Sequence, residues 1–241
     1  MNNNLKIVAL IPARSGSKGL PHKNIKIYKD LPLLVHSINI AKKSKFINDI
    51  IVSTDSDEYK KIAETYGAKC PFLRPAEISG DLSTDYEFIK HFVDWTEQFN
   101  RENMPHLIIQ LRPTYPNRKL EDLDKTINIM IENTQFTSLR TVIKYNKSPF
   151  KMYMTNNENT LIPLFKQINS INEPYNKCRQ DLPDTYLHNG CIDIIRTSSF
   201  IKENSITGSN IYAYIMNCDE DDDIDSIEDW NKSINKSSVN Q

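Results

Sequence analysis

Ile7-Val8-Ala9-Leu10-Ile11 runs directly into Pro12-Ala13-Arg14-Ser15-Gly16-Ser17-Lys18-Gly19-Leu20-Pro21-His22-Lys23-Asn24. Five consecutive apolar residues read as a strand buried on both faces, as in the middle of a parallel sheet. The loop that follows is suited to a polyphosphate. Glycines let the backbone come close to phosphate oxygens and turn N–H groups toward them. Arg14, Lys18 and Lys23 supply countercharge. The spacing is neither G-x-x-x-x-G-K-[ST] nor G-x-G-x-x-G. A solvated basic turn would also contain these residues. Against that, the chain has only six glycines, and two of them lie three residues apart beside three cations.

Working outward, apolar runs alternate with helical patterns. Strands are expected at Leu5–Ile11, Asp49–Thr54, Leu107–Leu111 and Ser138–Ile143. Between them, Leu33, Leu34, Val35, Ile38 and Ala41 form a helical stripe. Ser56 caps a second helix that ends at Gly67. Thr84 and Glu87 form a capping box for a third, whose apolar face is Phe88, Phe92, Trp95 and Phe99. Leu120–Ile131 is a fourth. This alternation predicts one α/β domain, a Rossmann-like, mostly parallel sheet with helices on both faces. Ligands then bind beyond the carboxyl ends of the strands, where the first loop, Asp55 and the 112–118 loop all fall. Residues 144–184, rich in Asn, Lys and Pro, break the pattern and read as an excursion from the sheet. The chain returns through 186–195 and 211–216, passes an acidic turn, and forms a short helix around Trp230. Residues 233–241 are expected to be disordered.

Composition narrows the function. The formal net charge of the 241 residues is −1, which argues against a nucleic-acid binder held by bulk positive charge. Cys70, Cys178, Cys191 and Cys218 show no C-x-x-C pairing and read as reduced thiols. Met1-Asn2-Asn3-Asn4 is no signal peptide, and no apolar run approaches ~18 residues. A cytoplasmic protein with no membrane partner is expected.

Six segments, in order, resemble the acylneuraminate (CMP-sialic acid) cytidylyltransferases. They are the 12–24 loop, Val52-Ser53-Thr54-Asp55, Phe72-Leu73-Arg74-Pro75-Ala76-Glu77 through Asp81, and Gln110 to Arg118, then Arg179-Gln180-Asp181-Leu182-Pro183 with Asn189-Gly190, and Asp223-Ile224-Asp225. The resemblance spans about residues 5 to 230. It implies an enzyme of the nucleotide-diphospho-sugar transferase type that moves CMP from CTP to an acidic nonulosonic sugar, such as sialic, legionaminic or pseudaminic acid. It also implies a homodimer, with the 144–184 region as the dimerisation arm. Two alternatives remain at this stage: a different acidic acceptor such as a phosphonate, or a non-catalytic nucleotide-binding protein.

The resemblance places the nucleotide against Ala13, Arg14, Ser15, Gly16, Lys18, Lys23, Asn24, Arg74 and Ser83. Arg14, Lys18, Asp223 and Asp225 are the candidate catalytic set. Asp223 and Asp225, two apart in an extended segment, share a face and suit Mg²⁺; a solvated acidic turn is the plainer reading of the run that contains them. Arg112, Lys151, Arg179, Tyr186 and His188 are the expected acceptor contacts, although the two cations, Lys151 and Arg179, would serve equally as surface charges and Tyr186 as core. Two positions depart from the family pattern. Asp85 stands where several members carry a small hydroxyl residue, and Arg112 stands where they carry Gln. Gln both donates and accepts, whereas Arg only donates and adds a fixed charge. Either Arg112 tunes the pocket to another sugar or a more anionic acceptor, or it points elsewhere.

Overall fold

The computed structural model describes residues 5–217 and 223–238. Residues 1–4, Cys218, the acidic residues 219–222 and residues 239–241 lie outside it. The chain divides into two compact units. Of the described residues, one comprises 5–141, 190–214 and 223–238; the other comprises 142–189 and 215–217.

The first unit is built on the expected strand–helix alternation. The main elements along the chain are β1 (Ile7–Pro12), α1 (Leu33–Lys43), β2 (Asp49–Ser53), α2 (Asp57–Thr65), α3 (Asp85–Phe99), β3 (Leu107–Gln110), α4 (Leu120–Glu132), β4 (Ser138–Tyr145), β5 (Thr185–Arg196), α5 (Thr197–Glu203), β6 (Ile211–Ile215) and α6 (Ile227–Ser238), with 142–145, 185–189 and 215 counted in the second unit. The main sheet has the order β6-β4-β5-β3-β1-β2. β1 pairs in parallel with β2 (Leu10 opposite Ile51) and with β3 (Leu10 opposite Gln110), while β5 runs antiparallel to β3. The unbroken apolar run of β1 follows from this position, with Ile7 to Ile11 all buried. Val8 and Leu10 pack with Phe88, Ile89, Phe92 and Val93 of α3 and Phe200 of α5. Ala9 and Ile11 alternate to the opposite face, and α1 packs on β1 and β2.

Caps explain where the helices begin. Ser56 Oγ accepts from the Tyr59 N–H at the start of α2. Thr84 and Glu87 form the expected capping box of α3. One expectation needs adjustment. Phe99, placed on the buried face of α3, is exposed, and Ile89 and Val93 take that role beside Phe88 and Phe92. Phe99 is the last residue of the helix, where the ring of Trp95 lies beside it, 6.0 Å away.

The chain beyond 233, expected to be disordered, is helical to Ser238. Trp230 and Ser233 lie three apart on one side of α6 and are both buried. Trp230 meets the Tyr28 ring edge-on at 5.5 Å, and Ser233 Oγ lies 2.7 Å from the Tyr28 hydroxyl. With Leu20, Leu33 and Ile224 these rings make a small second core.

The second unit holds the whole 144–184 excursion. It contains two short antiparallel hairpins, Tyr153–Thr155 with Leu161–Pro163 and Gln167–Ile168 with Ile171–Asn172. Lys144 pairs with Asp184 at 2.8 Å, and Arg179 donates to Asn146 Oδ1 at 2.8 Å.

Candidate active site

β1 ends in the loop that opens the candidate site. Ala13 N–H continues the ladder to Ser53 O at 2.9 Å, and both the N–H and the hydroxyl of Ser15 bind Asp55, at 2.8 and 2.9 Å. Asp55 follows β2 closely, so the two parallel strands present their ends together. Asn24 Nδ2 donates to Arg14 O at 2.9 Å and fixes the loop from within. These contacts leave Arg14, Lys18 and Gly19 lining a cleft of about 620 Å³. Arg14 Nη1 and Lys18 Nζ converge on the two oxygens of Asp81, at 3.0 and 2.6 Å. These two cations hold the Asp81 carboxyl below the usual carboxylate range, Lys18 through the larger effect.

The segment Asp223–Asp225 lines the same cleft beside the loop. Ile224 is fully buried in the second core, and Asp223 and Asp225 both line the cleft, as their spacing predicts. Contacts that hold this segment include Ile224 N–H to Thr114 O at 2.9 Å, and Lys23 Nζ to Ile224 O at 2.9 Å and to Asp225 Oδ1 at 2.8 Å. Lys23, read from the sequence as a phosphate contact, is a buried tether between the loop and the acidic segment. Gly19 is required by the same closeness, because a Cβ there would meet Asp225 O at 2.6 Å. Among the described residues no group of three or more His, Cys, Asp and Glu side chains is placed to hold a metal. A cation here would take two hard carboxylate ligands from the protein and the rest from phosphate and water, which suits Mg²⁺.

α3 and the loop before it supply the third wall, with Ser83, Thr84, Asp85 and Phe88. Arg74 is buried. Its Nε and Nη2 donate to Ser53 Oγ (3.0 Å) and Ser53 O (2.7 Å), and its guanidinium lies over Phe88. Burial lowers its pKa to about 10. Arg112, just past β3, completes the site. Its Nη2 meets Asp85 Oδ2 at 2.5 Å, and its Nη1 meets Asp193 Oδ2 at 2.6 Å and Gly190 O at 3.1 Å. Burial works against its charge, but the two carboxylates outweigh that and raise its pKa. Gly190 has φ +67, and a Cβ there would lie 3.0 Å from Arg112 Nη1, so a side chain at this position would be strained and crowded. Buried Arg118 fixes the loop beneath by donating to Arg112 O, Cys191 O and Ser37 Oγ.

Of the sequence-predicted residues, the cleft thus brings together Arg14, Lys18, Lys23, Asn24, Arg74, Ser83, Arg112, Asp223 and Asp225. Ala13 is buried, Ser15 is turned to Asp55, and Gly16 faces open space. Lys151, Arg179, Tyr186 and His188 belong to the second unit and are placed within it. Sequence reasoning missed Asp193. Its signal was a lone carboxylate inside the apolar run Cys191-Ile192-Asp193-Ile194-Ile195.

A family model described as cytidylyltransferase matches residues 8–226. An N-acylneuraminate cytidylyltransferase of Escherichia coli O18:K1:H7 is 31% identical over 229 residues, covering 95% of this chain and 51% of that protein. The chain therefore spans about half the length of that relative. A CMP-N,N'-diacetyllegionaminic acid synthase of Legionella pneumophila is 31% identical over 231 residues, covering 94% of each. Among solved structures, a CMP:2-keto-3-deoxy-manno-octonic acid synthetase complexed with CTP superposes with a TM-score of 0.69 at 15% identity, covering 98% of this chain and 100% of that one; this likeness speaks for the fold. The chain belongs to the cytidylyltransferase family.

Proposed function

We propose that this chain transfers CMP from CTP to the hydroxyl of an acidic nonulosonic sugar and releases pyrophosphate. The observation that carries the reading is the cleft itself, which is lined by Arg14 and Lys18 of the first loop together with Asp223 and Asp225. The names of the two curated relatives, which concern sialic and legionaminic acids, support the acceptor class.

Arg14 and Lys18 are paired with Asp81, an anion in the position a phosphate group would take. A triphosphate carries more charge and displaces that carboxylate. The two cations then hold the phosphate oxygens and stabilise the charge that grows on them in the transition state. The acceptor hydroxyl oxygen attacks the α-phosphorus in line. The bond from the α-phosphorus to the bridging oxygen breaks, pyrophosphate leaves with the electron pair, and the hydroxyl proton passes to a cleft carboxylate or to water. Asp223 and Asp225 are the residues that would hold Mg²⁺, which when bound neutralises phosphate charge and lowers the pKa of the hydroxyl. Lys23 and Asn24 act on the protein side, keeping the loop and the acidic segment in register. Arg179, Lys151, Tyr186 and His188 are proposed as acceptor contacts from the second unit. A homodimer is proposed as the working assembly, supported by the exposed apolar residues Met154, Leu161, Ile162 and Phe165 of that unit.

The test is pyrophosphate release from CTP and Mg²⁺ across N-acetylneuraminate, legionaminate, pseudaminate, Kdo and simple phosphonates, with ATP, GTP and UTP as controls. Release with CTP and a nonulosonic acid supports the reading; release with a phosphonate alone overturns the acceptor. In the active pairing, Lys18→Ala and Asp225→Ala should each lower kcat by about two to three orders of magnitude with the thermal midpoint retained. Wild-type turnover in either folded variant removes that residue from the mechanism.

A further inference from the structure

The two departures from the family pattern, Asp85 and Arg112, are bonded to each other. Arg112 Nη2 meets Asp85 Oδ2 at 2.5 Å, and the same guanidinium is held from behind by Asp193, whose side chain is 2% exposed. Arg112 therefore lines the cleft with its charge already paired. Three of its five N–H donors go to two carboxylates and the Gly190 carbonyl. The guanidinium read from the sequence as a tuning charge is thus matched by two carboxylates rather than presented alone. Arg74 also acts on Asp85 through its charge, but it directs its own donors into Ser53. Asp81, the neighbouring carboxylate, is engaged through both oxygens by Arg14 and Lys18. Asp85 differs. It is the first residue of α3, lines the cleft, has a side chain 38% exposed, and is held by Arg112 through Oδ2.

We infer that Asp85 is a specificity-determining residue of this cleft, a carboxylate clamped by Arg112 through one oxygen so that the other accepts a hydrogen bond from a hydroxyl or amide N–H of the acceptor sugar. A carboxylate can only accept, and a hydrogen bond to it is charge-assisted. A site built to pair with a donor rejects analogues that lack it, because its own polar group is then left unpaired. The clamp fixes the direction of that oxygen, so the selection is geometric as well as electrostatic. Arg112 is the positioning residue. Asp193 keeps its guanidinium charged and aimed, and Gly190 leaves room for it.

This inference rests on the proposed transfer reaction. Its test uses Asp85→Asn and Asp85→Ser, both of which leave Arg112 paired with Asp193 so that the fold is retained, with pyrophosphate release as the readout. The KM for the acceptor sugar should rise about tenfold or more, the loss of one hydrogen bond to a charged group, with the KM for CTP changed less than about twofold. The wild type should also discriminate against one deoxy or de-acylated analogue of the sugar, and the variants should lose that discrimination. Unchanged acceptor KM in folded variants, or a larger effect on CTP than on the sugar, overturns the role of Asp85 while leaving the reaction in place. A wild-type protein that binds CTP yet releases no pyrophosphate with any acceptor overturns the reaction, and this inference with it.

Discussion

Single residues in this site act through the partners that hold them. Asp193 is nearly fully buried and its carboxylate is matched by Arg112. Arg112→Gln removes the fixed charge that is paired with that carboxylate. Breaking a buried pair from one side costs about 3–5 kcal/mol, more than the pair itself contributes. The variant should therefore unfold at markedly lower urea concentration, and Arg112→Gln combined with Asp193→Asn should recover much of the loss. Equal stability of the single variant and the wild type would mean that Asp193 is not dependent on Arg112. This stability cost is separate from acceptor choice, so the Asp85 variants, which spare Asp193, report on selection more cleanly. The sequence offered Arg112 as an isolated oddity. What it lacked was the identity of the two carboxylates, one 27 positions before it and one 81 after.

The decisive elements are the loop after β1 and the segment Asp223–Asp225. Hydrophobic periodicity made β1 legible, because a run buried on both faces has no alternation to misread. The loop was legible as a cationic glycine turn, but the division of labour inside it was not. Arg14, Lys18 and Lys23 all line the cleft, but Arg14 and Lys18 bind Asp81 whereas Lys23 binds Ile224 O and Asp225. Gly19 is equally specific, since an added Cβ would meet Asp225 O at 2.6 Å. Gly19→Ala should push the acidic segment away from the loop. A shift of about 1 Å at a reacting centre costs about a hundredfold in rate, so kcat should fall by that order with far-ultraviolet circular dichroism unchanged. Gly16, with open space around it, is the control: Gly16→Ala should retain most of the activity. Equal loss in both variants would mean that the loop needs glycine for flexibility and not for this contact.

At the scale of the whole molecule, the second unit presents Met154, Leu161, Ile162, Leu164 and Phe165, each at least 39% exposed. An apolar face of this kind marks an interaction surface. Light scattering after gel filtration should give the mass of two chains, and Met154→Glu with Leu161→Glu should give one; a wild-type monomer at working concentration would remove the proposed dimer. The sequence by itself determined the alternating α/β framework, the strand ends where ligands gather, and the cationic loop, because local periodicity and turn chemistry act between residues close in the chain. It also reached the pairing of Asp223 with Asp225, whose common face follows from extended geometry alone. Only the tertiary structure decided that α6 docks on Tyr28, that Lys23 ties the loop to Asp225, and that Arg112 is neutralised by Asp85 and Asp193. These contacts join residues roughly 30 to 200 positions apart, and a buried charge finds its partner by where the sheet brings the chain, which no local pattern encodes.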